Sequence, residues 1–332
     1  MSASADPPAA PRGYQVRTRL GSGRTAHVYL ALHERYGEVA LKLPREELVT
    51  RPVLRRMFEN EVMITLKLDH ERVVRALEGK STGAGAFLAL EVCPGGTLDQ
   101  LLLEQGRLPL RSAVRLVEDV AEGLAYAHAA KVLHRDVKPA NVFLTEQGRA
   151  KLGDFGTGSF MTDPSDERVG TAFYMAPELF EGQPSSVASD VYSLGVLAFE
   201  VVTGERPFRG ESYEALMHEH LAGLLRDPRT VRTDLSDELA RVVRLAMARS
   251  PQRRYATVQA FLEAFREATP DLRDAAARSA PKPGRASRTA GTPIPSPTGR
   301  EAAKADQDDD RRASRRGGWW RRLFGRGDDA GS

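Results

Sequence analysis

Cysteine is nearly absent from the sequence, because Cys93 is the single one among 332 residues. One thiol cannot form a disulfide within the chain, so the fold has to be stable without such a crosslink. This composition fits a reducing compartment, where thiols stay unpaired. We interpret Cys93 as a small apolar side chain, and a nucleophilic thiol is the alternative interpretation.

Long apolar runs are also missing, since none approaches the roughly 18 residues that a membrane-spanning helix requires. The first twelve residues, MSASADPPAAPR, are small and proline-rich, and they lack the apolar centre of a signal peptide. We therefore expect residues 1–12 to be disordered and the folded part of the chain to be cytoplasmic.

Most of the chain lacks an excess of charge of one sign. Residues 1–270 carry 34 Lys and Arg against 36 Asp and Glu, whereas residues 271–332 carry 14 against 9. A main domain without a basic excess does not have the electrostatic signature of nucleic-acid binding, so we predict no nucleic-acid partner. The basic tail leaves open a contact with acidic partners or anionic lipid.

Short strand-like segments dominate the chain up to about residue 92. They lie at 14–20, 27–33, 38–43, 75–79 and 86–92. A segment of helical spacing, 52–68, begins with proline and interrupts them. Further along, the spacing predicts helices at 111–132, 189–204, 211–223, 235–248 and 257–268, with short strands near 142–144 and 150–154. The pattern predicts an α+β fold with a β-rich first part and a mainly helical second part.

The tail has a different composition, dominated by Ala, Pro, Arg, Ser and Asp. Residues 269–316 cannot bury enough apolar surface to offset their conformational entropy, and we expect a disordered linker. Within 317–328, the stretch WWRRLFGR mixes apolar and basic side chains, which are Trp319, Trp320, Leu323 and Phe324 beside Arg321, Arg322 and Arg326. This mixture suits docking on a protein or on the inner face of a membrane. A tail without a role is the alternative.

The stretch GSGRTAHVYL contains an incomplete G-x-G-x-x-G loop, with Ala26 in place of the third glycine. A dinucleotide-binding loop opens a helix, but the segment that follows here is strand-like. A hairpin of this kind can lie over phosphates, and Val28 would then pack on a flat base. A plain glycine hairpin remains equally open from these residues alone. Alanine lacks free access to positive φ, which predicts a stiffer loop tip.

The stretch HRDVKPAN concentrates polar chemistry within six residues. Asp136 can orient a hydroxyl, Lys138 can neutralise developing charge, and Asn141 can ligate a hard cation through its amide oxygen. Asp154 follows in DFG and offers a second oxygen ligand. In this order, the residues predict a magnesium-dependent phosphate site, although each piece alone is also compatible with a charged turn.

Eight stretches in this order resemble a protein kinase catalytic domain of the bacterial, eukaryotic-like (Hanks-type) Ser/Thr class. They are GSGRTAHV, VALK, the helix with Glu61, HRDVKPAN, DFG, GTAFYMAPE, SDVYSLG and SPQRRY. The resemblance covers about residues 13–268 and implies a two-lobed fold, with an N-lobe at 13–92, a C-lobe at 93–268 and ATP between them. It also implies transfer of the γ-phosphoryl group to Ser/Thr hydroxyls of proteins, including the protein itself.

The resemblance implies an ATP site built mainly from the N-lobe. Lys42 resembles the lysine that binds the α- and β-phosphates, and Glu61 resembles its partner. Glu61 also lies on the mostly apolar stripe of the predicted helix, where an unpaired carboxylate would be costly. The expected nucleotide contacts further include the loop, the adenine pocket and the hinge, namely Gly21, Ser22, Gly23, Val28, Ala40, Leu90, Glu91 and Cys93. The hinge residues Glu91 and Cys93 would bind the adenine edge through their main chain.

The same resemblance assigns the chemistry. Asp136 resembles the catalytic base, and Lys138 is typical of enzymes that act on Ser/Thr rather than Tyr. Asn141 and Asp154 resemble the ligands of Mg²⁺, with Mn²⁺ as an alternative cation.

Regulation is implied by Arg135, because an arginine before the base commonly receives a phosphate on the activation segment. The candidate phosphate acceptors in that segment are Thr157, Ser159, Thr162, Ser165 and Thr171. Thr171 more closely resembles a threonine that contacts the catalytic loop and the substrate, so we expect Thr162 or Ser165 to be autophosphorylated. Ordinary polar loop residues are the alternative, and DFGTGS lacks the basic residue that often follows in relatives.

Other residues resemble structural positions of the family. Glu178 should pair with Arg254, and Asp190 should begin a buried helix and accept hydrogen bonds from the catalytic-loop backbone. His134 should be a packed scaffold residue rather than an acid or base, and Gly156 completes DFG.

Three alternative functions remain open at this point. A pseudokinase that only binds nucleotide predicts at least one missing catalytic residue, and a kinase of small molecules predicts a different activation segment. A membrane-docked signalling scaffold would depend on the tail. For the kinase, the partners implied are protein substrates and a second copy of the chain for trans-autophosphorylation.

Overall fold

The alternating segments at the start of the chain form a five-stranded antiparallel sheet in the computed structural model, which describes residues 10–155 and 167–272. The strands are β1 (Tyr14–Ser22), β2 (Ala26–His33), β3 (Gly37–Pro44), β4 (Ala76–Lys80) and β5 (Phe87–Glu91), in the spatial order β1-β2-β3-β5-β4. Each neighbouring pair is antiparallel. This sheet, with the helix described next, is the N-lobe.

The strand register places Lys42 on one face of the sheet and a separate apolar cluster on the other. Val28 pairs with Lys42, and Ala40 pairs with Leu90, so these four side chains share one face because successive strand residues alternate. The residues between them point to the other face, where Val39, Leu41 and Leu43 join a separate apolar cluster. The expected nucleotide contacts Val28, Ala40 and Leu90 therefore lie on the same face as Lys42, which we call the ligand-facing side of the sheet.

Helix α1 (Pro52–Thr65) packs against the face of Lys42. Proline stands at its first turn, where the missing N–H has no helical partner to lose. Phe58 and Val62 of the helix belong to the same buried cluster as Leu88 and Leu90 of β5. The helix ends at Thr65 rather than Leu68, since the following residues form tighter turn hydrogen bonds.

The second part of the described chain, the C-lobe, is mainly helical. Its helices are α2 (Leu98–Gln105), α3 (Leu110–Ala129), α4 (Glu167–Ala172), α5 (Pro177–Phe180), α6 (Val187–Thr203), α7 (Tyr213–Ala222), α8 (Pro228–Val231), α9 (Asp237–Ala246) and α10 (Val258–Glu267). A two-stranded sheet, β6 (Val142–Leu144) and β7 (Ala150–Leu152), lies among them. Helix α6 is buried along most of its length and ends at Gly204, whose φ of 82° suits a left-handed cap.

The α+β fold with two lobes is confirmed. Sequence spacing missed the short helices α2, α4, α5 and α8, although the capping box of Thr97 and Gln100 marks the start of α2. Packing also continues past the expected boundary at 268, because Thr269 is buried and Leu272 contacts the C-lobe core. Most of the expected linker and the 317–328 motif lie outside the described residues. Within the described ranges, no helix has the length and apolar content to cross a bilayer.

One buried carboxylate, Asp119 of α3, joins the two lobes. It is 1% exposed, and it accepts hydrogen bonds from Arg149 and from the backbone N–H of Ala150 at 2.9 Å. Arg72, between α1 and β4, places its Nε 3.0 Å from Asp119 Oδ1. The main chain of Arg72 accepts a hydrogen bond from the N–H of Leu152 in β7. The end of the N-lobe helix region is thus tied to α3 and β7 by charge and by backbone hydrogen bonds.

Replacing Asp119 with alanine should lower the free energy of unfolding by about 1.5–3 kcal/mol, because Arg72, Arg149 and the N–H of Ala150 lose a common buried hydrogen-bond acceptor. Chemical denaturation of the two proteins measures the difference. Glu104→Ala, at an exposed position of α2, is the matched control and should change stability by less than about 0.5 kcal/mol. Equal effects of the two substitutions would contradict this role of Asp119.

Candidate active site

A buried ion-pair cluster lies between the sheet and the C-lobe. Nζ of Lys42, on β3, is 2.5 Å from Oε1 of Glu61 on α1, and it also contacts Oδ1 of Asp154 after β7. Glu61 is 1% exposed. The apolar stripe of α1 predicts this inward orientation, and the structure places Glu61 and Lys42 together as expected. Asp154 joins them from the other lobe.

Opposite charges within this cluster favour one another, whereas burial and the like charge of Asp154 raise the pKa of Glu61 above its usual value. Burial disfavours the ammonium form of Lys42, but the carboxylates of Asp154 and Glu61 outweigh it and raise the pKa of Lys42 above its usual value. Burial would raise the pKa of Asp154, yet the Lys42 ammonium lowers it below its usual value. At neutral pH Lys42 is therefore protonated and Asp154 is ionised, which is the charge state that phosphate and cation binding require.

The glycine-rich loop reaches this cluster through Thr25, a residue that sequence reasoning missed. Thr25 is buried, and its hydroxyl donates to Oε2 of Glu61 at 3.4 Å. The loop closes through a hydrogen bond from Gly23 N–H to the carbonyl of Ala26 at 2.8 Å. Gly21 and Ser22 belong to β1, where they pair with the start of β2.

The structure revises the expectation for Ala26. This residue begins β2, pairs with Pro44 of β3 and is buried in the cluster behind Lys42. Among the residues that the structure describes, those with positive φ do not include Ala26. A strand conformation is accessible to alanine, so the missing third glycine imposes no backbone strain on the loop in this conformation.

The catalytic-loop candidates converge on one carboxylate oxygen. Lys138 Nζ lies 2.8 Å from Oδ2 of Asp136, and the amide nitrogen of Asn141 donates to the same oxygen at 2.9 Å. The Asn141 amide also donates to the main-chain carbonyl of Asp136 at 2.8 Å. Lys138 further donates to the hydroxyl of Thr171 at 3.0 Å, which links the loop to the segment before α5. Asp136 is thus held in one orientation.

The backbone of this loop is strained and is stabilised by Asp190, in the first turn of α6. Arg135 has a φ of 70°, a conformation that costs roughly 1–3 kcal/mol for residues other than glycine. The two oxygens of Asp190 accept hydrogen bonds from the N–H groups of Arg135 and His134, at 2.8 and 2.9 Å. His128 Nε2 is a third neighbour of this buried carboxylate, at 2.8 Å.

His134 is a scaffold residue in this geometry. Its Nδ1 accepts a hydrogen bond from the N–H of Asp136 at 3.2 Å, so its Nε2 is the donor to the carbonyl of Gly153 at 2.9 Å. Burial lowers the pKa of His134, which keeps the ring neutral. The ring therefore connects Asp136 to the strand end that precedes Asp154.

Gly153 brings the two expected cation ligands together. Its N–H donates to the carbonyl of Asn141 at 2.9 Å, and Asp154 follows directly with a φ of 60°. A side chain is excluded at Gly153, because a Cβ there would lie 2.8 Å from the ring of Phe143. Since the amide nitrogen of Asn141 is bonded to Asp136, its oxygen remains as the acceptor. With Asp154 this makes a set of hard oxygen donors, which fits a Mg²⁺ or Mn²⁺ ion.

The adenine side of the expected pocket is formed by the ligand-facing side of the sheet. Val28, Ala40 and Leu90 share that face with Lys42, and Leu90 is buried at the end of β5. Cys93 follows β5 and packs in the same apolar cluster as Leu90.

The structural pair predicted from the sequence is also present. The two terminal nitrogens of the Arg254 guanidinium, Nη1 and Nη2, donate to Glu178 at 2.6 and 2.7 Å, and the Arg254 side chain is fully buried. Arg254 additionally donates to the carbonyl of Ala188 in α6. The phosphate-acceptor candidates Thr157, Ser159, Thr162 and Ser165 lie outside the described residues, as does Gly156.

Sequence reasoning missed a second polar cluster beside the segment of Thr171. The hydroxyl of Tyr174 donates to Glu200 of α6, and Arg206 Nε lies 3.2 Å from the same carboxylate. The Arg206 guanidinium also covers the ring of Phe173 at 4.2 Å. Glu200 sits in an apolar stretch of α6, the same signal that identified Glu61.

Comparisons with known proteins agree with this geometry. A family model described as a protein kinase domain matches residues 14–265. The chain is 32% identical to the serine/threonine-protein kinase PknA of Mycobacterium tuberculosis (strain ATCC 25177 / H37Ra), over 86% of this chain and 67% of that protein. It is 34% identical to PknL of M. tuberculosis (strain CDC 1551 / Oshkosh), over 80% and 69% of the two chains. It is also 34% identical to PknH of Mycobacterium bovis, over 78% and 44%.

The single thiol should be inert in the folded protein. Cys93 is 4% exposed, and burial raises its pKa to about 12, so the reactive thiolate is scarce at pH 8. We expect a soluble alkylating reagent to modify the native protein at most about one hundredth as fast as the same protein in denaturant. Mass spectrometry over time measures both rates. Similar rates in the two conditions would show that Cys93 is an accessible thiolate instead.

Proposed function

Since the chain belongs to the protein kinase family, in its bacterial Ser/Thr branch, we propose that it transfers the γ-phosphoryl group of ATP to Ser/Thr hydroxyls of proteins, including its own. The observation that carries the proposal is the convergence of two groups of side chains at one site. Lys42 and Glu61 come from the N-lobe, and Asp136, Asn141 and Asp154 come from the C-lobe.

Each residue has a role that its environment supports. Lys42, kept charged by its two carboxylate neighbours, binds phosphate oxygens, and Glu61 holds its side chain in place. Asp136 orients the attacking hydroxyl and accepts its proton on the carboxylate, while Lys138 stabilises the negative charge that develops. Asn141 and Asp154 would hold a divalent cation, Mg²⁺ or Mn²⁺, which when bound neutralises charge on the phosphate oxygens.

Two rival functions fit the site less well. A pseudokinase would lack at least one of the residues that bind phosphate or accept the proton, yet the sequence contains all of them, which supports the kinase. A kinase of small molecules would not need the contact between Lys138 and Thr171, which connects the catalytic loop to the GTAFYMAPE segment. That contact supports a protein substrate.

Regulation by autophosphorylation belongs to the same proposal. Arg135 directly precedes the proposed base, and Asp190 holds its backbone in the catalytic loop through a hydrogen bond of 2.8 Å. A phosphate on Thr162 or Ser165 would give it a bidentate partner. Phosphorylation in trans would require contact between two copies of the chain, in the cytoplasm or at the inner face of the membrane.

Asp136→Asn and Lys42→Met should each reduce phosphoryl transfer from ATP by at least about 10²–10⁴-fold, because they remove the proton acceptor and the phosphate ligand. Incorporation of labelled phosphate into the purified protein and into a general protein substrate, with Mg²⁺ or Mn²⁺, measures the loss. Phosphosite mass spectrometry of the wild-type protein should locate phosphate on Ser or Thr, with Thr162 or Ser165 modified.

Two exposed residues of the same types give matched controls. Lys67 and Asp69 are exposed and follow the end of α1. The variants Lys67→Met and Asp69→Asn should retain wild-type phosphoryl transfer. If both Asp136→Asn and Lys42→Met still incorporated phosphate, the proposed kinase function would be wrong. Incorporation on tyrosine alone would overturn the Ser/Thr preference.

The basic, aromatic tail supports a second proposal, that it attaches the kinase weakly to anionic membrane surfaces. Trp319 and Trp320 suit the interface, and each nearby arginine adds about 1 kcal/mol of attraction to anionic lipid.

Sedimentation with phosphatidylserine-containing liposomes tests this docking. The full chain should co-sediment, a variant without residues 313–332 should stay in solution, and high salt should weaken the binding of the full chain. Neutral liposomes are the control. Equal sedimentation of both chains would contradict a role for the tail.

A further inference from the structure

An ion pair not required by the proposed chemistry joins the two lobes behind the site. Nζ of Lys151, in β7, lies 2.5 Å from Oε1 of Glu91, the last residue of β5. The Lys151 side chain is 16% exposed and that of Glu91 is 24% exposed. The pair is therefore largely withdrawn from water, where a charged hydrogen bond is stronger than on an open surface.

Glu91 is held from a second side as well. The same Oε1 accepts a hydrogen bond from the N–H of Arg75 at 2.7 Å. The N–H of Glu91 in turn donates to the carbonyl of Arg75 at 3.0 Å. The side chain and the main chain of Glu91 are thus both constrained, at the residue whose main chain is expected to meet the adenine edge.

Lys151 lies on β7, and this strand leads to the phosphate end of the proposed nucleotide site. It pairs with Phe143 across the β6–β7 sheet, and Leu152, the next residue, bonds to Arg72 and Val74 through its backbone at 2.8 and 2.9 Å. Asp154, which contacts Lys42, follows three residues after Lys151. The ion pair therefore connects the adenine end of the site to the phosphate end.

We propose that Lys151 is a positioning residue for nucleotide binding, which acts by holding the hinge, through Glu91, at a fixed place relative to Asp154. The inference rests on the proposed function, because it assumes that ATP occupies this site. Loss of the pair frees the hinge, so binding loses pre-organisation while the groups that perform the transfer remain in place. The effect should fall on nucleotide affinity rather than on the rate of the chemical step.

The test compares Lys151→Met, Glu91→Gln and the double variant in the full chain. Fluorescence titration with a labelled ATP analogue gives Kd, and phosphorylation assays give KM for ATP and kcat. We expect Kd and KM to rise by about three- to tenfold in each single variant, with the kcat of Lys151→Met within about twofold of wild type. The double variant should be no weaker than the single ones, since both lose the same interaction. Lys151→Arg keeps the charge and should restore much of the affinity.

The controls separate this inference from the proposed function. Lys67→Met removes an exposed lysine and should leave Kd unchanged, and thermal melting identifies any variant that fails to fold. If wild type binds ATP and transfers phosphate but Lys151→Met retains full affinity, the ion pair is an ordinary surface contact and the inference fails alone. Additive losses in the double variant, or a loss confined to kcat, would also overturn it. If wild type neither binds ATP nor transfers phosphate, the proposed function itself fails.

Discussion

The placement of one ammonium group between two carboxylates governs the arrangement of the site. Lys42 is buried, so its charge is tolerated only with partners, and those partners come from different parts of the chain. Glu61 fixes the rotation of α1 against the sheet, and Asp154 fixes the end of β7 relative to both. A helix, a sheet and a strand of the other lobe are therefore brought into register by one electrostatic requirement.

The C-lobe uses the same device with the signs reversed, because buried carboxylates organise cationic and backbone donors. Asp190 stabilises the left-handed backbone at Arg135, and Asp119 gathers Arg72 and Arg149 at the lobe junction. In each case the carboxylate projects from a helix whose other buried residues are mostly apolar. The helices thus position the buried carboxylates rigidly, and these carboxylates hold the short loops that carry the reactive groups.

The sequence predicted the α+β fold, the main strands and long helices, and the site residues that the structure brings together around Lys42 and Asp136. These succeeded because apolar periodicity and motif order are local properties. Thr25 and Lys151 could not be found in the same way, since their partners lie 36 and 60 residues distant along the chain. Asp119 and Glu200 were identifiable in principle, as charged residues on the mostly apolar stripes of their helices, but their partners depend on tertiary packing. The contacts of Leu272 with the C-lobe core could not be predicted from the sequence either, because they form only in the fold.

The contact between Thr25 and Glu61 has a thermodynamic consequence for the outer surface of α1. The glycine-rich loop and the helix share this hydrogen bond, so a shift of the helix relative to the loop would lengthen or break it. Met63 of α1 and Leu66, which directly follows the helix, are exposed. Linkage is reciprocal: if a partner bound at these residues changes the affinity for ATP by some factor, ATP changes the affinity for that partner by the same factor. A partner that favours the two helix positions equally would leave ATP affinity unchanged, however tightly it binds.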